Sequence, residues 1–186
     1  MLTILQIVFS IIVVSLSTYG IITSDYSLNF LLIFILGLLI SHAEGVGTES
    51  SGYNSHAEGM NTNALGSSSH AEGMDTKASA NFSHAEGVRT EASGYASHAE
   101  GPYTNASGYA SHAEGWYTNA EGYCSHAQNR ETIANNYAST AIGKFNKKLK
   151  GESSSAVQNS DEFVIGNGIA DLIRSNAFNS GRHYLF

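Results

Sequence analysis

A 14-residue repeat occupies the middle of the chain and limits what it can fold into. The pentapeptide Ser-His-Ala-Glu-Gly begins at six positions spaced 14 residues apart, namely Ser41, Ser55, Ser69, Ser83, Ser97 and Ser111. Two degenerate copies follow at the same spacing, beginning at Ser125 and Ser139. Because the period is strict and nothing is inserted, each repeat must form one structural unit that stacks on the next.

Small residues recur at alternate positions of the repeat, numbered here from its first Ser. Position 3 is always Ala, position 8 is Thr in seven consecutive copies, and position 10 is Ala except at Ser50. This alternation predicts an extended chain with one face turned into a narrow interior, and Gly and Asn suit the tight corners. Recurrent Gly and the lack of a 3.6-residue period disfavour helix. We therefore predict an all-β solenoid of 14-residue coils, about 40 Å long if parallel coils stack about 4.8 Å apart.

The first 40 residues differ sharply in composition from the repeat. Residues 4–22 are uncharged and rich in Ile, Val and Leu, and no Lys or Arg precedes Lys77. A run of about 20 apolar residues is long enough to cross a bilayer as a helix. A signal peptide fits poorly because there is no basic n-region, and a buried helix pair stays open as an alternative. We predict hydrophobic membrane-anchor helices at 1–40, a roll at 41–150 and a strand-and-turn segment at 151–186, with the roll outside the cell.

Charge and cysteine content exclude several functions. The net charge is −7 and no basic stripe is present, which argues against a nucleic-acid partner because binding phosphates requires clustered Lys and Arg. The single cysteine, Cys124, cannot form an internal disulfide. No nucleophile or pocket pattern accompanies the repeated His and Glu. We therefore expect a protein that is not an enzyme, with no catalytic residues and no cofactor.

Position 2 of the repeat is His and position 4 is Glu, and these two columns are the candidate site. Residues two apart in a strand share a face, so the columns should lie side by side. One interpretation is structural, with His paired to Glu within a chain or across a trimer axis. A second is a metal- or pH-responsive binding rod, because His and Glu bind zinc-like ions and His titrates near neutral pH. The candidate ligands are His42, His56, His70, His84, His98, His112, Glu44, Glu58, Glu72, Glu86, Glu100 and Glu114.

Two further columns suggest binding surfaces. The Thr column at position 8 would present a regular array to ice if it faced outward. Aromatic residues cluster in the later coils and could contact carbohydrate or protein, although stacked rings that stiffen a turn are the favoured explanation. These aromatic residues are Tyr95, Tyr103, Tyr109, Trp116, Tyr117 and Tyr123.

The pattern Ser-x-Ala-x-Gly-x-x-(Ser/Thr)-x-Ala-x-Gly resembles the head repeat of trimeric autotransporter adhesins. Those heads are left-handed parallel β-rolls packed three side by side, with apolar residues at positions 2 and 4 facing the trimer axis. Thr140 and Ile142 resemble that pattern, whereas the His and Glu of the preceding coils depart from it. The resemblance implies a left-handed roll and a homotrimer.

The Ser-His-Ala-Glu-Gly version is similar to a closer subgroup, the rolls of phage tail-appendage and related surface proteins. The similarity extends in order through residues 125–130, 140–146, 163–168 and 174–178. It implies an adhesin-like rod for attachment or spacing, on a cell or virion surface, with a possible cell-surface or carbohydrate ligand. The subgroup's autoproteolytic chaperone domain has no counterpart in residues 179–186, so we expect no self-cleavage. A truncated product without function is the remaining alternative.

Overall fold

A computed structural model describes residues 41–148, 161–171 and 173–181. The chain divides into two units, Met1–Ile40 and Ser41–Phe186. The predicted membrane-anchor helices at 1–40 lie outside the described residues. In the part of the chain that the structure describes, no helix is long and apolar enough to cross a membrane.

The repeat folds into coils that each contribute one long and one short strand. The long strands are β1 His42–Val46, β3 His56–Met60, β5 His70–Met74, β7 His84–Val88, β9 His98–Pro102, β11 His112–Trp116, β13 His126–Arg130 and β15 Thr140–Lys144. The short strands are β2 Glu49–Ser50, β4 Asn63–Ala64, β6 Lys77–Ala78, β8 Glu91–Ala92, β10 Asn105–Ala106, β12 Asn119–Ala120 and β14 Ile133–Ala134. Two further strands, β16 Asp161–Asn167 and β17 Asn176–Gly181, follow the repeat.

The strands form two sheets that run the length of the repeat. The long strands, with β16 and β17, make a ten-stranded sheet, and the short strands make a seven-stranded sheet. Neighbouring coils are parallel, and each residue pairs with the equivalent residue of the next coil, as His56 does with His70. The predicted parallel solenoid of 14-residue coils is thus confirmed, with about seven turns, whereas its left-handed winding stays a prediction.

The interior of the repeated coils is lined by small side chains, and larger buried ones such as Val164 occur at the C-terminal end of the roll. Thirteen alanines at positions 3 and 10, from Ala57 to Ala141, have no exposed surface, and the Ser and Thr columns at positions 1 and 8 are buried beside them. The Ser hydroxyls fold back on the preceding turn, and Ser55 donates to the carbonyl oxygen of Gly52 at 2.7 Å. Ala, Ser and Thr therefore recur because the space between the two sheets admits nothing larger.

The corners differ from the expectation that Gly and Asn would supply positive φ. Positions 7 and 14 take the left-handed conformation with varied residues, including Arg89 at φ 55° and Tyr103 at φ 60°. This conformation costs a non-glycine residue about 1–2 kcal/mol. A hydrogen bond to the preceding coil offsets that cost, as when the Tyr103 amide donates to the Val88 carbonyl at 2.8 Å.

Glycine recurs at two other positions, 5 and 12, for different reasons. Gly59 at position 5 has φ +116°, and a Cβ there would also overlap the backbone of Gly73 in the next coil. Gly66 at position 12 has no such φ, but a Cβ would overlap the carbonyl of Ala80. Close contact between successive coils, more than turn geometry, therefore explains the position-12 glycines.

The C-terminal end of the roll is capped by polar side chains and the last two strands. β16 continues the ten-stranded sheet in parallel with β15, and β17 pairs with β16 in the antiparallel direction. The buried Asn146 amide accepts from the Ile133 amide at 2.7 Å and donates to the Ile133 carbonyl at 3.0 Å. Asn146 thereby supplies the hydrogen bonds that a further short strand would have made.

Enlarging an interior side chain should destabilise the roll. Ala99 is fully buried between the two sheets, so Ala99→Leu is expected to lower the free energy of unfolding by about 1–3 kcal/mol through overpacking. Ser107→Leu, on an exposed position, should change it by no more than about 0.5 kcal/mol. Denaturant unfolding of the two variants measures the difference, and equal stability would contradict a closely packed interior.

Candidate functional site

The His and Glu columns lie side by side on the outward face of the ten-stranded sheet, because they flank the inward Ala of position 3. The imidazole rings stack along the rod with centroids 4.7–5.1 Å apart. From His56 to His126 the rings are nearly parallel, within 13°, whereas His42 and His56 meet at 60°. We call these columns, His42 to His126 and Glu44 to Glu114, the His–Glu ladder.

The pairing within the ladder changes along the rod. In the first three coils each His faces the Glu of its own coil, with Nε2 to carboxylate distances of 3.4, 3.7 and 3.8 Å. In the last three, His98, His112 and His126 face the Glu of the preceding coil at 3.8, 4.0 and 3.5 Å. His84 lies where the two arrangements meet, and it makes no ion pair within the described part of the chain.

The unpaired His84 follows from the composition of the columns. The ladder holds seven His but six Glu, because position 4 of the seventh coil is Gln128. One His must therefore lack a Glu of its own. His126 pairs with Glu114, His112 with Glu100 and His98 with Glu86. The His left without a carboxylate is therefore His84.

The imidazole nitrogens that face the Glu column lack hydrogen-bond partners. Nε2 is buried and makes no hydrogen bond in His56, His70, His84, His98, His112 and His126. A buried donor or acceptor without a partner costs about 1–3 kcal/mol. The ladder thus holds a row of nitrogens that no hydrogen bond within the described chain satisfies.

Four overlapping groups of one His and two Glu bring ligand atoms within 4.8 Å of one another. They are Glu58–His70–Glu72, Glu72–His84–Glu86, Glu86–His98–Glu100 and Glu100–His112–Glu114, and we call them the triads. The predicted candidates His42, Glu44 and His56 join none of these. Side-chain exposure explains the difference at the first coil, where His42 and Glu44 are 63% and 73% exposed.

Burial and neighbouring rings lower the pKa of two of the histidines. Burial lowers the pKa of His84, His98 and His70 lower it further, and Glu86 and Glu72 oppose the shift. The pKa of His112 is lowered in the same way, by burial and then by His98 and His126. Two imidazolium rings 4.8 Å apart would repel by about 3 kcal/mol at an effective dielectric of 20, less where solvent screens them. The ladder therefore disfavours two adjacent positive charges.

An open groove of about 690 Å³ runs along the ladder. The Glu column forms one wall and the position-5 glycines, from Gly45 to Gly115, form its floor. Because glycine has no side chain, small cations can approach the carboxylates along most of the rod.

The other two candidate surfaces differ from the ladder. The Thr column is buried from Thr62 to Thr132, so the proposed ice-binding array does not reach the surface. Tyr95, Tyr109 and Tyr123 stack face to face 5.0–5.2 Å apart, as do Tyr103 and Tyr117 at 4.3 Å. Tyr109 is thus stacked on both faces, and each of the other four rings is stacked on one face.

No protein-family model matches the chain, and no curated protein matches it. The resemblance to adhesin and phage-appendage rolls therefore stays a prediction from the sequence.

The lowered pKa of His84 predicts a loss of stability in acid. The unfolded chain, with a His pKa near 6.5, binds the proton more readily than the folded chain. Stability is therefore maintained above that pH and falls as the pH drops through the lower folded value. His84→Gln should lose less melting temperature between about pH 7.5 and about pH 5 than the parent chain.

Thermal unfolding with a chelator present checks this expectation. His42→Gln, at the exposed end of the ladder, removes none of the groups that shift the pKa of His84 or His112 and should retain the parent's pH dependence. Identical slopes for the parent and His84→Gln would show that His84 does not set the acid response.

Proposed function

We propose that this protein is a non-enzymatic, adhesin-like structural rod, used for surface attachment or as a spacer. The observation that carries the proposal is the unbroken register of seven coils, in which equivalent residues stack from His42 to Ala134. Such stacking extends a rod by one fixed step per repeat. The net charge of −7 favours partners other than nucleic acid.

We further propose that three rods pack side by side through the ladder face. The outward columns at positions 2 and 4 turn apolar at the C-terminal end. Thr140 pairs with Phe163 and Ile142 with Ile165, and all four side chains are only partly exposed in a single chain. A polar ladder continuous with an apolar end gives an association surface with both specificity and buried apolar area. The adhesin resemblance assigns the trimer axis to these same positions.

A spacer role is favoured over carbohydrate binding by the aromatic columns. Sugars stack their C–H groups on the faces of aromatic rings, and here both faces of Tyr109 and one face each of Tyr95 and Tyr123 are used within the stack. Trp116 is likewise covered by the Arg130 guanidinium at 4.6 Å. These columns stiffen the corners of the rod, with each ring pair contributing about 0.5–1.5 kcal/mol.

The mass of the full chain in a mild detergent tests the trimer. We expect a mass of three chains at neutral pH. His98→Glu with His112→Glu adds negative charge to the ladder face and should dissociate the assembly. The control variant, Ser93→Glu with Ser107→Glu, adds the same number of carboxylates at exposed positions after the short strands. It should leave the trimer intact.

Two results would reject this arrangement. A monomeric parent chain would show that the proposed trimer does not form. A ladder variant that stays trimeric would move the contact to another face of the roll.

We also propose that residues 1–40 tether the rod to a membrane, because they include 19 consecutive uncharged residues at 4–22. The full chain should float with phosphatidylcholine vesicles in a density gradient and resist extraction by high salt. A chain lacking residues 1–40 should stay at the bottom. Salt extraction of the full chain would indicate a surface charge contact and reject the tether.

A further inference from the structure

We propose that the His–Glu ladder binds divalent zinc-like ions, each held by one triad of two carboxylates and one imidazole. Every ligand of a triad comes from a single chain, so the proposal is independent of whether the rods associate. It goes beyond a structural role because it assigns a chemical function to the His–Glu ladder.

The first argument is the set of unsatisfied nitrogens. From His56 to His126, Nε2 is buried and makes no hydrogen bond, and the nearest carboxylate oxygens that form ion pairs with it are 3.5–4.0 Å away. Those separations are long for a hydrogen bond between imidazole and carboxylate. A bound ion would satisfy the nitrogen and the carboxylates together.

The second argument is distance. Zinc bonds of about 2.0–2.2 Å to His nitrogen and carboxylate oxygen place tetrahedral ligand atoms about 3.3 Å apart. The His70 and Glu72 atoms are 3.8 Å apart, as are those of His98 and Glu86. The other ligand atoms of a triad lie within 4.8 Å of one another. Shifts of about 0.5 Å to about 1.5 Å by the partly exposed carboxylates therefore close the triad on an ion, leaving a fourth position for water.

The third argument is protonation. Metal binding requires a neutral imidazole and an ionised carboxylate. Burial and the flanking rings already favour neutral His84 and His112. His84 makes no ion pair within the described residues, so its own imidazole gives up no ion pair when it binds an ion.

Charge sets the expected stoichiometry. The four triads share five carboxylates, because Glu72, Glu86 and Glu100 each belong to two. Two dications in non-adjacent triads, such as those of His84 and His112, use four different carboxylates and are neutralised by them. A third ion would have to share a carboxylate with an occupied neighbour. We therefore expect about two ions per chain.

Zinc titration of the full, metal-free chain in detergent tests the proposal. Because Glu72 and Glu100 together contribute to all four triads, Glu72→Gln with Glu100→Gln should weaken binding at least tenfold. The matched control is Glu44→Gln with Glu49→Gln, which removes two carboxylates outside the triads and should keep parent stoichiometry and affinity. Calorimetry and elemental analysis after gel filtration give both quantities.

X-ray absorption of the zinc-loaded parent chain supplies a measurement that needs no variant. We expect one imidazole and carboxylate oxygens around each ion, at distances of about 2.0–2.2 Å. Absence of imidazole scattering would overturn the proposal. Failure of the parent to retain zinc, or equal binding by the Glu72/Glu100 variant and its control, would also overturn it.

Discussion

The fold depends on one constraint, which is that each coil must match the next residue for residue. The backbone of one long strand hydrogen-bonds to the next with a shift of 14 residues, as Ala57 does opposite Ala71. The short strands impose the same shift on the other side of the coil, as Asn63 shows opposite Lys77. An inserted residue would reverse the side-chain alternation of every later position in that strand. Exact repetition in sequence is therefore what two parallel sheets wound from one chain require.

Because the coils match, the residue type at one position of the repeat forms a column along the roll. Whether such a column stabilises the roll depends on the chemistry of its side chains. Small interior residues gain close packing and backbone hydrogen bonds in every coil. Stacked Tyr and His rings gain contact but lose access to their faces. Identical charged residues in one column would repel one another, which explains why the His column is accompanied by a Glu column. A His can pair with the Glu of its own coil or with that of the preceding coil, so the pairing can change along the ladder. Gln128 leaves the ladder one carboxylate short, and the His without an ion pair in the described chain is His84, three coils away. The two positions are connected because each His between them pairs with the Glu of the preceding coil.

Periodicity and residue size were enough to predict the parallel solenoid, its coil length and the inward Ala column. The left-handed corners at Arg89 and Tyr103 were not predictable in that way, since their stability comes from hydrogen bonds to the preceding coil rather than from residue type. The cap by Asn146 was equally hidden, because a side chain there replaces backbone. For the ladder, the sequence placed His and Glu on one face, but the change of pairing at His84 depends on side-chain geometry.

The interior of this roll offers little apolar surface, because its largest repeated side chain is Thr. Burial at about 25 cal/mol per Å² stabilises an Ala column far less than it would a column of Leu or Val. Backbone hydrogen bonds supply much of the remainder, at about 0.5–1.5 kcal/mol each, and they recur in every coil. The outward columns therefore affect a structure whose net stability is small. Stacked Tyr rings stabilise it, whereas the unsatisfied nitrogens of the ladder destabilise it, and the proposed partner chain or ion would remove that cost. A cost repeated from His56 to His126 makes the ladder the face on which binding has most to contribute.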